Sequence, residues 1–533
     1  MKTLSDRLLH DAVVEKIWKR DPSTWKAAPG SADAKSIESR LGWLDVGTTM
    51  KPHMAAVHRL REQVRDEKFE AACLLGMGGS SLCAEVLRDV FGVAEGHPQL
   101  YVLDTTDELT LTVAAARMNP ARTLFIVASK SGGTVEVASM ERFFWSKMSE
   151  ALGADAGRHF VAITDPGTAL QSLAEQRGYR EIFINPPDIG GRFSALSLFG
   201  LVPAAIIGAP VDTLLAGGAA MAEGCQQHNH MNAGLELGAF IGAAALDGRD
   251  KLTVALAPSF AALGLWIEQL VAESTGKHGK GSLPVVDEPL GRPDEYGNDR
   301  AFVSVASESD RPDDERLRAL EAAGHPVLRL SMRHDGLGAE FFRWEFATAV
   351  AGAALGLNPF DEPNVSEAKE KTKGLLAAYA ANGRFDDQLG APSADAVRQT
   401  LASIRAGDYV AFLSYLPAES EIENTVAGIR ATIRARTKAA STFGVGPRYL
   451  HSTGQYHKGG PNTCVAFVLT ADDESATPIP EAGYSFAVLK RAQALGDVQA
   501  LEAHGRRVLR LHFKNSSTVA ADLKRVFTDA MTD

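Results

Sequence analysis

The sequence predicts an α/β protein: two domains of mostly parallel sheet flanked by helices, with an N-terminal helical segment and a C-terminal α/β segment. Three observations predict it. Short runs rich in β-branched and other apolar residues recur from residue 71 onward. Amphipathic stretches such as 82–90 and 135–152 separate them, which is the alternation of a parallel sheet wrapped by helices. A second rhythm of the same kind begins after a polar stretch at 222–234. With 533 residues, 45% of them hydrophobic, the chain is long enough to bury two such cores.

In order along the chain, residues 1–60 read as helical and charged, with a turn around Pro29 and Gly30. The first domain, 61–221, contains AACLL (71–75), LYVLD (100–104), LFIVAS (124–129), FVAITD (160–165) and EIFINP (181–186). AEGCQQHNHMNAG (222–234) marks a boundary. The second domain, 235–440, contains KLTVALAP (251–258), AFVSVAS (301–307), HPVLRLSM (325–332) and YVAFLSYLP (409–417). Residues 441–533 complete it, adding CVAFVLT (464–470), YSFAVLK (484–490) and RRVLRLHF (506–513) as strand-like runs. The acidic stretch SESDRPDDER (307–316) reads as a solvated loop and helix start.

A net charge of −11 argues against a nucleic-acid or anionic-membrane partner, while leaving room for a local basic pocket that takes a small anion. The four cysteines, Cys73, Cys83, Cys225 and Cys464, show no CxxC spacing. Neither a zinc site nor a disulfide framework is expected, and a reducing cytoplasm fits best. The N-terminal stretch MKTLSDRLLHDAVVEKIW carries acids and lacks the apolar core of a signal peptide. The longest apolar run, 196–211, is too short to span a bilayer and contains Pro203. His228 and His230 have no third ligand at a suitable spacing, so they read as polar loop residues; no metal or other cofactor is expected.

The chemistry gathers at junctions. In LLGMGGSSL (74–82), Gly76, Gly78 and Gly79 let backbone N–H groups approach an oxyanion, and Ser80 and Ser81 add hydroxyl donors where a helix begins. Gly76, Gly78 and Ser81 also nearly fit a dinucleotide fingerprint, with Asp104 ending the next strand. SKSGGTVE (129–136) supplies a second such junction with Ser129, Lys130, Ser131 and Thr134. A dinucleotide fold needs no second hydroxyl-rich cradle, whereas the three terminal oxygens of a phosphate monoester take many short donors. Phosphate is favoured, at the carboxyl edge of the first sheet. In IGGRFSALSLFG (189–200), Arg192 precedes a helix read as starting at Ser194. An arginine stays charged and donates in a fixed fork, which suits a developing oxyanion; pairing with a structural carboxylate is the alternative. In LWIEQLVAESTGKHGKG (265–281), Trp266, Leu270 and Val271 form a buried stripe and the helix runs out near Gly276. Glu273 at its end is a candidate base beside the other loops. Glu268, five residues earlier, need not share its face.

Taken in this order, GMGGSSL, SKSGGTVE, GGRFS and QLVAESTGK, followed by NPFDEPNVSEAKEK (358–371), resemble the glucose-6-phosphate isomerase family over roughly residues 40–375. That family is built from two sugar-isomerase (SIS) domains. The resemblance implies a cofactor-independent interconversion of glucose 6-phosphate and fructose 6-phosphate in glycolysis and gluconeogenesis. It implies that Glu273 moves the proton between C2 and C1, that Arg192 stabilises the enediolate and that Lys369 serves the ring oxygen. Gln269 contacts substrate, and Gly78, Gly79, Ser80, Ser129, Lys130, Ser131 and Thr134 hold its phosphate.

The family's ring-opening histidine follows the glutamate motif within a few tens of residues and reaches the site from the neighbouring subunit. Nothing like its segment occurs between 280 and 330 here; YLHSTGQYHKGGPNT (449–463) resembles it instead, after the lysine motif. That order resembles the isomerase half of bacterial bifunctional transaldolase/glucose-6-phosphate isomerases. A transaldolase barrel needs about 250 residues, and the first 60 here cannot supply it. His451 is assigned ring opening, with His457 the alternative. A homodimer follows, with Glu273 and His451 of one site drawn from different chains. Two departures stand out: Thr275 where the family has asparagine, and Glu362 where it has glutamine. Three other readings share features with this one. A dual phosphoglucose/phosphomannose isomerase differs only in pocket shape. A sugar-phosphate sensor needs the loops but neither Glu273 nor Arg192. An NAD enzyme depends on Asp104.

Overall fold

The computed structural model describes residues 2–387, 390–417, 419–473 and 475–532. Its strands form three sheets. The first holds β1 (Ala71–Leu75), β2 (Gln99–Leu103), β3 (Thr123–Ala128), β4 (Phe160–Thr164) and β5 (Glu181–Ile184), in the order β2-β1-β3-β4-β5. The second holds β6 (Lys251–Leu256), β7 (Leu283–Val285), β8 (Arg300–Ala306) and β9 (Val327–Ser331), in the order β7-β6-β8-β9. The third holds β10 (Tyr409–Ser414), β11 (Ala440–Val445), β12 (Cys464–Ala471) and β13 (Arg507–Phe513), in the order β11-β10-β12-β13. Every pairing is parallel; Ala71, for example, lies opposite both Gln99 and Thr123. Each sheet begins in its middle, places its second strand to one side and the rest to the other. The same winding therefore occurs three times, each with a switch point between its first and third strands.

Burial follows from that architecture. Helices cover both faces, so β3, β4 and β10 are buried at every residue, as the uninterrupted apolar runs require. The run at 196–211 becomes the helix Leu198–Ile206, wholly buried and capped by the Ser197 hydroxyl. That helix starts four residues later than the sequence suggests. A 3₁₀ turn, Gly191–Phe193, intervenes, and the Ser194 hydroxyl bonds back to the Gly191 carbonyl at 2.6 Å. No helix among the described residues is long and apolar enough to cross a membrane.

One expectation is corrected. YSFAVLK is not a strand but the entrance to the helix Phe486–Ala503, capped by Ser485, which accepts from the Val488 amide. The apolar residues at 486 and 489 repeat at helical spacing, which outweighs the short run of strand formers. The third sheet draws β10 from before residue 440 and β12 and β13 from well after it. The edge strands β7 and β11 face each other across the buried Arg430, which donates to the Val286 carbonyl at 2.9 Å and the Ser441 carbonyl at 2.8 Å. The N-terminal helices clasp the second unit. The Trp25 indole donates to the Ala349 carbonyl (2.9 Å) on the helix Leu337–Leu355, and Trp18 to the Cys225 carbonyl (3.0 Å).

Candidate active site

The helix Leu263–Thr275 carries Gln269 and Glu273 one turn apart, both buried. The Gln269 amide donates to Glu273 Oε2 at 3.2 Å and to the His451 carbonyl at 2.7 Å, while its own Oε1 is buried without a partner among the described residues. His451 closes the short turn Arg448–His451 after β11. Its Nε2 lies 2.9 Å from Glu136 Oε1, which also accepts from the Gln493 amide at 2.7 Å. Burial works against the Glu136 carboxylate, yet His451 and Lys369 together hold it below the usual range. Glu273 and His451 thus meet within a single chain. The third sheet unit folds back onto the first two and brings its own turn to the site, so the pair comes together without the second subunit that the family resemblance leads one to expect.

Arg192 enters from the 3₁₀ turn after β5 and is only 5% exposed. Its Nε donates to Ser274 Oγ (2.7 Å), and Nη2 donates to the carbonyls of Pro359 (2.7 Å) and Asp361 (2.9 Å). Nη1 lies between two carboxylates, 3.1 Å from Glu362 and 3.5 Å from Glu273. Their acidities diverge. Burial pushes Glu273 up despite Arg192. Glu362 is also opposed by burial, but Arg192 and Arg40 hold it down. Lys277, fully buried, anchors the 358–361 loop by donating to the carbonyls of Asn358 (2.8 Å) and Asp361 (2.6 Å); burial and Arg192 push its ammonium down to about 8.

Beside these groups a cleft of about 460 Å³ lies between the second glycine loop and the helix Val365–Asn382. Ser131, Gly133 and Thr134 line one wall, Lys369 and Lys373 the other, and His451 and Glu136 also line it. The Thr134 and Ser129 hydroxyls share a hydrogen bond at 3.1 Å. Lys130 turns away, donating to Asp165 and to the Pro187 carbonyl (2.9 Å).

The first loop is placed differently. Gly78 (φ +53°) packs against the His451 carbonyl and Gln269, and Gly79 packs against the Gly191 peptide. Ser80 is buried, and Ser81 Oγ is 3.2 Å from both the Gly78 carbonyl and Asp104. Asp104 in turn accepts both arms of Arg448, at 2.7 and 2.9 Å, which removes it from any ribose-binding role.

His457 sits in the core. Its Nδ1 meets the Tyr409 hydroxyl at 2.8 Å, and burial pushes it down to about 3. Of the two candidate histidines, His451 is the one at the cleft. Thr275 is buried too, its hydroxyl donating to the Val271 carbonyl at 2.8 Å, so that departure does not touch the site. His228 and His230 form exposed pairs with acidic side chains near the N-terminal helices. Sequence reasoning missed Arg40, Lys373 and Gln493. Only Lys373 left a signal, one helical turn after Lys369.

Among solved structures, a hypothetical protein from Thermus thermophilus matches with a TM-score of 0.60 at 24% identity, over 70% of this chain and 97% of that one. A glucose-6-phosphate isomerase from Chlamydia trachomatis matches with a TM-score of 0.57 at 18% identity, over 71% and 86%. Both likenesses are of fold: an α/β architecture of parallel sheets flanked by helices. The sequence profile of the phosphoglucose isomerase family matches residues 63–292. A glucose-6-phosphate isomerase from Rubrobacter xylanophilus is 30% identical over 406 residues, 65% of this chain and 90% of that protein. The chain belongs to the glucose-6-phosphate isomerase family.

Proposed function

We propose that the chain interconverts glucose 6-phosphate and fructose 6-phosphate, and that each chain holds a whole active site. The observation that carries this is the divergence of two carboxylates around one arginine, beside a hydroxyl- and lysine-lined cleft. Groups whose environments drive their acidities apart sort into a proton acceptor and a charge partner. Glu273, raised and poised, takes the proton from C2 of the open-chain sugar and returns it to C1. Glu362 stays ionised and holds Arg192, which faces the oxyanion of the enediolate. Gln269, with its unpartnered oxygen, accepts from a substrate hydroxyl.

Ring opening falls to His451 and Lys369. Glu136 accepts from Nε2–H of His451, which leaves Nδ1 as the nitrogen free to exchange a proton. Ser129, Ser131 and Thr134 face the phosphate from one side, with Lys369 and Lys373 balancing its charge from the other. Gly78, Gly79 and Ser80 back the loops that carry Arg192 and His451, and Lys130 braces the second loop.

The lysine motif precedes His451 in the chain, which supports kinship with the isomerase half of bifunctional transaldolase fusions. It also supports a division in which 61–221 and a unit from 235 form the SIS pair, with the remainder delivering His451. Four free buried cysteines suit the cytoplasm.

A coupled assay from glucose 6-phosphate tests the reaction. Glu273→Gln is expected to lower kcat by roughly 10²–10⁴-fold, the worth of a general base, with KM little changed. Mixing Glu273→Gln with His451→Ala chains under subunit exchange is expected to restore nothing. Recovered activity would return the histidine to a neighbouring subunit.

A further inference from the structure

Glu268 and Glu273 lie on one helix, five residues apart. Glu268 lines a second cleft, about 580 Å³, where three parts of the fold converge. Helix Leu82–Phe91 comes from the first sheet, helix Leu263–Thr275 and the turn after β7 from the second, and helix Ser420–Thr437 with the residues after β11 from the third. Glu268 is 8% exposed, and its carboxyl makes no hydrogen bond or ion pair among the described residues. A buried carboxylate without a partner carries a large desolvation cost, and the group responds by holding its proton. Burial, reinforced by nearby Asp287 and only partly offset by Arg430 and Arg448, pushes Glu268 up to about 8.

Asp287 adds a second oddity. It holds φ +52°, a left-handed conformation uncommon for a residue with a side chain, and its carboxylate has no partner among the described residues. Asp89 and Glu423 bring two more carboxylates to the same cleft, neither in an ion pair among the described residues. The cations present are already engaged: Arg448 with Asp104, and Arg430 with the carbonyls of Val286 and Ser441. Leu265, Val286 and Phe443 supply apolar wall. The space exceeds what a bare ion fills, and the described residues contain no group of three side chains placed to hold a metal.

We propose that this cleft binds an organic cation, a small aliphatic amine with two or more ammonium groups. Glu268 takes one ammonium at the buried end, and Asp287, Asp89 and Glu423 take the others toward the mouth. The amine's methylenes lie on the apolar wall. The cleft shares its walls with the active site. Gln269, next to Glu268, holds the His451 carbonyl, and the residues that follow His451, Ser452 and Thr453, face this second cleft. The site is independent of the isomerase reading, because binding needs no substrate.

Calorimetric titration of the full chain with 1,4-diaminobutane and with spermidine, at constant ionic strength, is the test. Saturable binding is expected, weakened roughly tenfold or more by Glu268→Gln, the usual range for a charge-assisted contact. The binding heat at pH 7.5 is expected to vary with the ionisation heat of the buffer, because Glu268 releases its proton as the ammonium arrives. Asp287→Asn, whose replacement tolerates a positive φ, is expected to weaken binding as well and keeps the test open if the first variant misfolds. No saturable binding by the parent chain, or parental affinity in a folded variant, overturns the proposal.

Discussion

The two glycine loops that end β1 and β3 have nearly the same composition and differ in how closely other backbone approaches them. A Cβ on Gly79 would stand 2.0 Å from the Gly191 carbonyl oxygen, and one on Gly78 would stand 2.7 Å from that of His451. On Gly133 the nearest atom would be 4.0 Å away. The first loop is glycine-rich because other backbone presses against it; in the second, Gly132 (φ +65°) is packed against Thr168 and only Gly133 leaves space beside a cleft. Both read from sequence as phosphate cradles, since a stripped backbone at a strand–helix junction is what either need produces. What separates them is a third segment, 189–193 for the first loop, whose position local sequence does not encode.

The largest effects are expected at the glycines themselves. Gly79→Ala must push the Gly191 peptide, and with it Arg192, out of place. Overpacking of backbone on backbone belongs at the upper end of about 1–3 kcal/mol, and a misplacement near 1 Å costs on the order of 10² in kcat. Gly133→Ala is expected to leave thermal stability near the parent's. Equal melting temperatures for the two variants would mean that the first loop is as open as the second.

A second, smaller effect sharpens the contrast in function. The Ser129→Ala/Thr134→Ala double variant is expected to raise KM by roughly 10–100-fold with kcat largely kept. Hydrogen bonds to a charged group are worth about 1.5–3 kcal/mol, and these act on the non-reacting end of the sugar phosphate. Ser81→Ala, which removes contacts internal to the first loop, is expected to lower the melting temperature without moving KM. A KM effect from Ser81 would reassign the cradle.

Much of this was legible because it is local. Strand-to-helix junctions, the helix from 263 to 275 and the spacing of Gln269 and Glu273 are all written within a dozen residues. The third sheet was not legible, since β10 reads like any buried strand and nothing in it says which neighbours it will pair with. β7 has only three residues and left no signal. The His451 segment was found by its motif, but its company was not: Glu136 and Gln493, 357 residues apart, meet through a fold that brings the third unit onto the first. The histidine expected from a partner chain reaches Gln269 and Glu136 within one chain, a meeting of distant segments that local sequence does not encode.

The smallest effect concerns Lys130, the one cation inside the second loop. Sequence places it on the phosphate, but its ammonium donates to Asp165 and to the Pro187 carbonyl. Lys130→Met is therefore expected to leave KM within a few-fold of the parent and to act on stability instead. The pair is partly exposed, its side chains at 29% and 15%, so its loss amounts to roughly 0.2–1 kcal/mol. The pH dependence has a definite sign. Burial raises the Asp165 carboxyl above its ordinary value while Lys130 pulls it back. A carboxyl raised in the folded state contributes most below its unfolded value and loses that contribution as pH climbs through the folded one. Without Lys130 the rise is larger, so the variant's deficit in melting temperature is expected to be slight below about pH 4, near the unfolded value, and to widen toward neutrality. A tenfold rise in KM, about 1.4 kcal/mol, with no change in melting temperature at pH 7, would place the Lys130 ammonium on the substrate and make the second loop a cradle in all its parts.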